Sequence, residues 1–128
     1  MPFEAIYSNK KRKMLEKQEV ERLKGIFEDA DEKSLKLVDK LIRNAAFTAV
    51  MLEETSLIIA RDGVIDEYQN GENQKGLKKS SAVEVYDKLL NTYSKIIKQL
   101  CDMLMDVQAA KGAAAGILDD IKNRGVLL

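Results

Sequence analysis

The chain contains no histidine and no tryptophan, and its 128 residues include one proline and one cysteine. Without histidine it lacks the commonest general base, the usual zinc ligand, and the base of every Ser-His or Cys-His nucleophile pair. Neither a Walker loop nor a G-x-G-x-x-G motif occurs in the sequence. We therefore expect no catalytic residue, no metal and no cofactor, in a chain that is not an enzyme.

The scarcity of proline and aromatic residues points to helices with an aliphatic core. The one proline is Pro2, so the rest of the chain is free to form helix. Aromatic residues make up 5% of the sequence, which leaves aliphatic side chains to fill the core. The lone Cys101 excludes an internal disulfide and fits a reducing compartment, and we expect it to be buried as a small apolar residue.

The first residues argue against export. Their basic run follows the apolar residues, whereas a secretory signal places the basic residues first. No uncharged apolar stretch approaches the roughly 20 residues that a membrane helix needs. We expect a cytoplasmic protein without a membrane partner.

Two pairs of adjacent carboxylates, Glu53-Glu54 and Asp119-Asp120, are the remaining candidates for acid–base chemistry. Neighbouring side chains on a helix point about 100° apart, so neither pair converges on one substrate. We expect both pairs to lie on the solvated surface.

Apolar residues recur at spacings that predict three helices. The first covers residues 8–28 and the second covers residues 32–62. Asp29 or Asp31 can cap the start of the second helix, and Gly63 stops it. The main seam of this helix has small residues in its middle and consists of Leu35, Val38, Ile42, Ala45, Ala49, Leu52, Ser56 and Ile59.

A second apolar row lies roughly opposite that seam. It consists of Phe47, Val50, Met51, Leu57 and Ile58. Because a helix that is apolar on two sides must be covered on two sides, we predict that this row is the interface of a homo-oligomer. The alternative is a three-helix monomer in which the first helix folds over the row.

A polar connector follows the second helix. Its Asn70-Gly71 pair favours a two-residue hairpin turn, with arms at residues 64–69 and 72–77, and the alternative is an ordered polar loop. Ser81 and Glu84 then form a capping box for a third helix that we expect to end near Val107. Its seam, in which both tyrosines are expected to be core residues, runs through Val83, Tyr86, Leu90, Tyr93, Ile97, Leu100, Leu104 and Val107.

These elements predict a mainly all-α fold: a long antiparallel helical hairpin plus an N-terminal helix, with a short β-hairpin-like connector. Residues 1–108 would form the helical core and oligomerisation domain. Residues 109–128, where glycines interrupt a run of alanines, would form a flexible C-terminal tail that contains at most a short helix.

Two basic segments are candidates for contacts with the phosphates of duplex DNA. They are Lys10, Lys11, Arg12 and Lys13 at the start of the first helix, and Lys75, Lys78 and Lys79 at the end of the connector. The second segment precedes a helix N-terminus, whose backbone amides favour anions. Repeated around an oligomer, the two segments would present many lysines, and binding would weaken as salt rises.

Residues 37–100 resemble the short phage terminase small subunits found in tailed phages and prophages of Gram-positive bacteria. The resemblance rests on the helix that ends at Gly63-Val64, on the YQNGENQ-x-G-x-K-x-S connector, and on the Tyr-x6-Tyr-x3-Ile-x-Gln-Leu helix that follows. The helix-turn-helix of the larger family members is not recognisable before residue 32, and no proline closes the last long helix.

This resemblance implies a non-catalytic protein of the DNA-packaging motor in a bacterial host cell. It would assemble as a ring or another oligomer and bind viral double-stranded DNA. It would also recruit and regulate the large terminase subunit, which holds the ATPase and nuclease; the heptad seams of the long helices are typical of coiled coils. The alternative interpretation is a prophage-encoded helical regulator that binds a protein partner and no DNA.

Overall fold

The computed structural model describes residues 4–69 and 75–123. In chain order these form α1 (Asn9–Ile26), α2 (Glu32–Asp62), β1 (Ile65–Gln69), β2 (Lys75–Lys79) and α3 (Ser81–Asn123). The predicted fold, mainly all-α with a helical hairpin, an N-terminal helix and a β-hairpin connector, is confirmed. Within these described ranges, no helix combines the length and the apolar character needed to cross a membrane.

The predicted ends of α2 are confirmed. Asp31, rather than Asp29, is the N-cap, and its Oδ1 accepts from the Ser34 N–H at 2.7 Å. This bond lowers the pKa of Asp31. Gly63 ends the helix with a φ of 88°, a conformation that glycine adopts without a steric penalty.

Ser80 caps α3, so the predicted capping box that begins at Ser81 is wrong by one residue. The Ser80 Oγ accepts from the Val83 N–H at 3.1 Å, and its carbonyl oxygen accepts from the Glu84 N–H at 3.1 Å. Ser80 is buried, and its own N–H donates to the Val64 carbonyl oxygen at 2.9 Å. The pairing of the strands therefore selects the capping residue.

The helix α3 continues to Asn123, so its predicted end near Val107 is wrong. The two glycines of the following stretch each disfavour helix by about 1 kcal/mol relative to alanine. The alanines between and before them have the highest helix propensity, and they offset part of that cost. Lys111 also forms a salt bridge of 2.9 Å with Asp29, which ties the stretch to the α1–α2 loop. The division of the chain at residue 108 stays a prediction.

The connector is an antiparallel β-hairpin and not a polar loop. Gln69 pairs with Lys75, which places residues 70–74 between the two strands. The second arm was predicted at residues 72–77, whereas β2 is described over Lys75–Lys79 and so ends two residues later than predicted. The register of the two strands is fixed on the side of α3, because β2 leads directly into the residue that caps α3. The turn predicted at Asn70-Gly71 lies outside the described residues.

Both α1 and α3 run antiparallel to α2. Near one end, Arg12 of α1 contacts Glu54 of α2, and near the other end Lys24 of α1 contacts Asp39 of α2. The β-hairpin reverses the chain between α2 and α3. The three helices can therefore share one core.

The aliphatic core lies between the second half of α1, the first half of α2 and the middle of α3. Its buried residues are Leu23, Phe27, Ala30, Val38, Ile42, Ala45 and Leu100. Val38 and Ile42 are each 1% exposed, and the half-buried Tyr93 packs against the core cluster. This confirms the predicted core for the first half of the α2 seam.

The second half of the α2 seam departs from the prediction. Ser56 is exposed, whereas Thr48 and Thr55 are buried. The Thr48 hydroxyl donates to the Asn44 carbonyl oxygen at 2.7 Å, and the Thr55 hydroxyl donates to the Met51 carbonyl oxygen at 2.6 Å. Because each hydroxyl is bonded within its own helix, threonine can be buried here without an unpaired polar group.

Candidate functional site

The β-hairpin, the start of α1, the end of α2 and the start of α3 lie at one end of the molecule, which we call the hairpin end. There Arg61, in the last turn of α2, donates from Nη2 to the Glu4 carbonyl oxygen at 3.0 Å. The first basic segment, residues 10–13, opens α1, and the second lies in β2. The fold therefore brings both predicted basic segments to the same end.

The first basic segment divides into exposed lysines and an arginine that is turned inward. Lys10, Lys11 and Lys13 are exposed. The Lys11 Nζ lies 4.9 Å from the centre of the Tyr7 ring, a cation–π contact. Arg12 instead points to Glu54 and is half-buried. The three lysines are available to a phosphate, and Arg12 has a structural partner.

A buried carboxylate holds the N-terminal segment on α2. Glu54 is 3% exposed, and it accepts from Arg12 Nε at 2.7 Å and from Arg12 Nη2 at 2.9 Å. It also accepts from the backbone N–H groups of Ile6 and Tyr7, each at 2.9 Å. We call these four residues the Glu54 cluster. Four donors saturate the carboxylate, so the cluster is built to hold structure.

The predicted surface position of Glu53-Glu54 is wrong for Glu54 and correct for Glu53, which is exposed. The Arg12 guanidinium and the two backbone N–H groups lower the pKa of Glu54 to about 2, against the opposing effect of burial. Burial and the nearby Glu53 carboxylate raise the pKa of Tyr7. Glu54 is therefore charged at neutral pH although it is buried.

The second basic segment is partly paired with carboxylates. Lys78 and Lys79 are exposed, and Lys79 Nζ lies 3.2 Å from Asp87 Oδ2. Lys78 stands opposite Asp66 in the register of the hairpin. Lys75 pairs through its backbone in β2, and its side chain lies outside the described part of the chain.

Two backbone amides in the first turn of α3 already face protein oxygens. The Ser81 N–H donates to Asp66 Oδ2 at 3.4 Å, and the Val83 N–H donates to Ser80 Oγ. These two amides are therefore not free to bind a phosphate. Among the described residues, only the lysines of this segment remain candidates for the predicted contact with a phosphate.

The second apolar row of α2 is divided by the packing of the chain. Phe47 is 52% exposed and Leu57 is 40% exposed, while Met51 is half-buried. Val50 and Ile58 are buried within the chain itself and are therefore not available to a second copy. The row is not one continuous face, and its role as an oligomer interface stays a prediction for the exposed residues.

Two further expectations can be compared with the structure. Cys101 is exposed, so its predicted burial is wrong, because the seam of α3 passes through Leu100 and turns away from its neighbour. Tyr86 is half-buried, as Tyr93 is, in line with a place in the α3 seam. In the described ranges, no three acidic or cysteine side chains come together as metal ligands.

An open groove between α1 and α2 was not expected from the sequence. It has a volume of about 590 Å³, and its charged lining is Lys13, Glu16, Lys17, Glu21, Lys24 and Arg43. The signal that points to it is the spacing of Lys10, Lys13, Lys17 and Lys24, which repeats every three, four and seven residues and so follows one face of a helix.

Comparisons with protein-family models, with curated proteins and with solved structures found no match to this chain.

Proposed function

We propose that the chain is a non-catalytic small terminase subunit of a phage DNA-packaging motor. In the cytoplasm of the bacterial host it would bind viral double-stranded DNA as a homo-oligomer. It would also recruit and regulate the large subunit, which supplies the ATPase and nuclease. The proposal starts from the resemblance of residues 37–100, whose distinctive connector is the β-hairpin between α2 and α3.

The observation that carries the proposal is that two basic segments, far apart in the sequence, lie toward the same end of the molecule. The antiparallel packing of α1 on α2 places the start of α1 beside the later half of α2, which leads into the hairpin. Exposed lysines at one end of a molecule suit the phosphates of DNA, which attract cations without reading sequence. Binding of this kind gains from every added copy, which fits an oligomer.

A second candidate is a helical regulator that binds a protein and no DNA. The exposed apolar side chains of Phe47 and Leu57 favour it, because large apolar residues at the surface commonly mark protein contacts. The same residues also suit self-association. The two candidates therefore differ in DNA binding and not in whether the chain has partners.

Native mass spectrometry combined with duplex-DNA gel shifts over a range of salt concentrations separates the candidates. We expect a defined oligomer that binds DNA at low salt with an affinity that falls steeply as salt rises. A monomer without DNA affinity at low salt contradicts the packaging proposal. A defined oligomer that binds no DNA but captures a protein favours the regulator. Co-purification with a large terminase subunit would test recruitment separately.

A further inference from the structure

The groove between α1 and α2 concentrates positive charge along one flank of α1. Lys13 and Lys17 lie one turn apart, Lys24 lies two turns further along, and Arg43 reaches in from α2. At a rise of 1.5 Å per residue, Lys13 and Lys24 are about 17 Å apart along the helix. The cationic side chains therefore form a line along the groove and do not surround a single binding point.

Two carboxylates, Glu16 and Glu21, line the groove beside its four cations, so the lining keeps an excess of two positive charges. Asp39 accepts from Arg43 Nε at 2.9 Å and lies 3.4 Å from Lys24 Nζ, so it partly neutralises the far end of the groove. In the described ranges, no carboxylate lies within salt-bridge distance of Lys13 or Lys17. Among the described residues, Lys13 and Lys17 are thus the cations of the groove that form no salt bridge, and Glu16 and Glu21 line the groove beside them.

The opposite flank of α1 lacks this excess. The cavity there has a volume of about 260 Å³, and its charged lining is Glu19, Arg22 and Glu53. Arg22 forms a bidentate salt bridge with Glu19. The charge of α1 is therefore one-sided, and the basic side is the one that continues the exposed row from Lys10.

A linear, open and basic groove fits a polyanion that lies along it. A single inorganic phosphate could contact Lys13 and Lys17 but could not reach Lys24 as well, since the helix separates them by two turns. The backbone of a DNA duplex presents a continuous series of charges, and lysines bind it without sequence preference.

We propose that the DNA backbone lies along this groove and is held mainly by Lys13 and Lys17, with Lys24 and Arg43 extending the contact. The inference rests on the proposed function for the identity of the polyanion. The proposed main contact with DNA is a flank of α1 and not the hairpin lysines, one of which is paired with Asp87. The proposal also excludes Arg12, whose guanidinium is committed to Glu54.

The test is a double charge reversal, Lys13→Glu with Lys17→Glu, in the full chain. Both side chains are exposed, so the fold and the oligomer should be retained, which circular dichroism and native mass spectrometry will check. Fluorescence anisotropy with a labelled duplex should show an affinity at least about tenfold lower than that of the wild type, and a salt slope smaller by about one for each lost contact.

The matched control is Lys95→Glu with Lys98→Glu, two exposed lysines on α3. It changes the net charge by the same amount, so a loss equal to that of the groove variant overturns the assignment of the groove. Unchanged DNA binding by a folded groove variant overturns it as well. A wild type without DNA affinity at low salt contradicts the proposed function itself. Equal competition by polyglutamate at the same charge concentration would assign the groove to an acidic protein.

Discussion

The aliphatic core and the Glu54 cluster fasten the same helix, α2, to α1 by different means. In the core, side chains such as Ile42 are almost fully buried in an apolar cluster. In the Glu54 cluster, a carboxylate is nearly as deeply buried, but it is held by four hydrogen bonds. Apolar burial stabilises the core at every pH, whereas the cluster depends on a charge.

The two regions also differ in the parts of the chain that they hold in place. The core joins three helices and sets the overall packing. The cluster fastens residues 6 and 7 and the first turns of α1, and it thereby orients the exposed lysines of the hairpin end. We therefore expect damage to the core to unfold the chain, and damage to the cluster to release one segment first.

The largest effect is expected from Ile42→Ala in the core. Ile42 is 1% exposed, so the substitution leaves a cavity and should lower the free energy of unfolding by about 3 kcal/mol. Urea unfolding followed by circular dichroism measures it. The control is Leu37→Ala on the same helix, where the side chain is 65% exposed and the loss should stay below about 0.5 kcal/mol. Equal losses at both positions would mean that the core lies elsewhere.

A somewhat smaller, pH-dependent effect is expected from Glu54→Gln. The variant leaves donors of the cluster without a charged acceptor, and the loss at neutral pH should be about 2 kcal/mol. The pKa of Glu54 falls from 4.5 to about 2 in the folded chain, so its contribution is fully present above pH 4.5 and is lost as the pH falls toward 2. The difference in stability between wild type and variant should shrink over that range.

Urea unfolding of both proteins at neutral pH and at successively lower pH tests this. Comparison with the Glu54→Gln variant is needed because Asp31, Asp39 and Asp62 also have lowered pKa values and contribute to the acid sensitivity of both proteins. Ile42→Ala should show a loss that does not change with pH. A loss at Glu54 that is equally independent of pH would contradict the charged state of the carboxylate.

The third effect separates the geometry of the cluster from its charge. Arg12→Lys keeps the positive charge but cannot form the two parallel bonds to Glu54, and we expect a loss of about 1 kcal/mol. Its DNA affinity should be unchanged, because Arg12 is committed to the cluster. The control is Lys95→Arg, at an exposed lysine of α3, which should change neither stability nor affinity by much. A drop in DNA affinity for Arg12→Lys with unchanged stability would place Arg12 at the DNA.

The two regions differ in how far the sequence predicts them. Val38, Ile42, Ala45 and Leu100 follow a helical repeat, and the repeat itself identifies them as core. Glu54 follows no repeat, and two of its donors are backbone N–H groups 47 and 48 residues away. A backbone amide has no side-chain signature, so the sequence gives no sign that this carboxylate has partners.

The sequence predicts only part of the candidate site. The exposure of Lys10 and Lys13 follows from their place in a charged run at a helix start. The inward turn of Arg12 does not follow, since it depends on Glu54 of another helix. Arg43 joins the groove only because α1 packs antiparallel on α2, which the spacing within either helix does not determine.

The last effect, equal in size to that of Arg12→Lys, tests the junction between β2 and α3. Ser80→Ala removes the Oγ that accepts from the Val83 N–H, and the loss should be about 1 kcal/mol. Ser81→Ala, one residue later, should cost less than half of that, because it removes no cap. Thermal unfolding of the two variants measures the difference. A larger loss for Ser81→Ala than for Ser80→Ala would make Ser81 the true cap. The register of β2 against β1 would then shift as well, because the Ser80 N–H to Val64 bond fixes the cap and the register together.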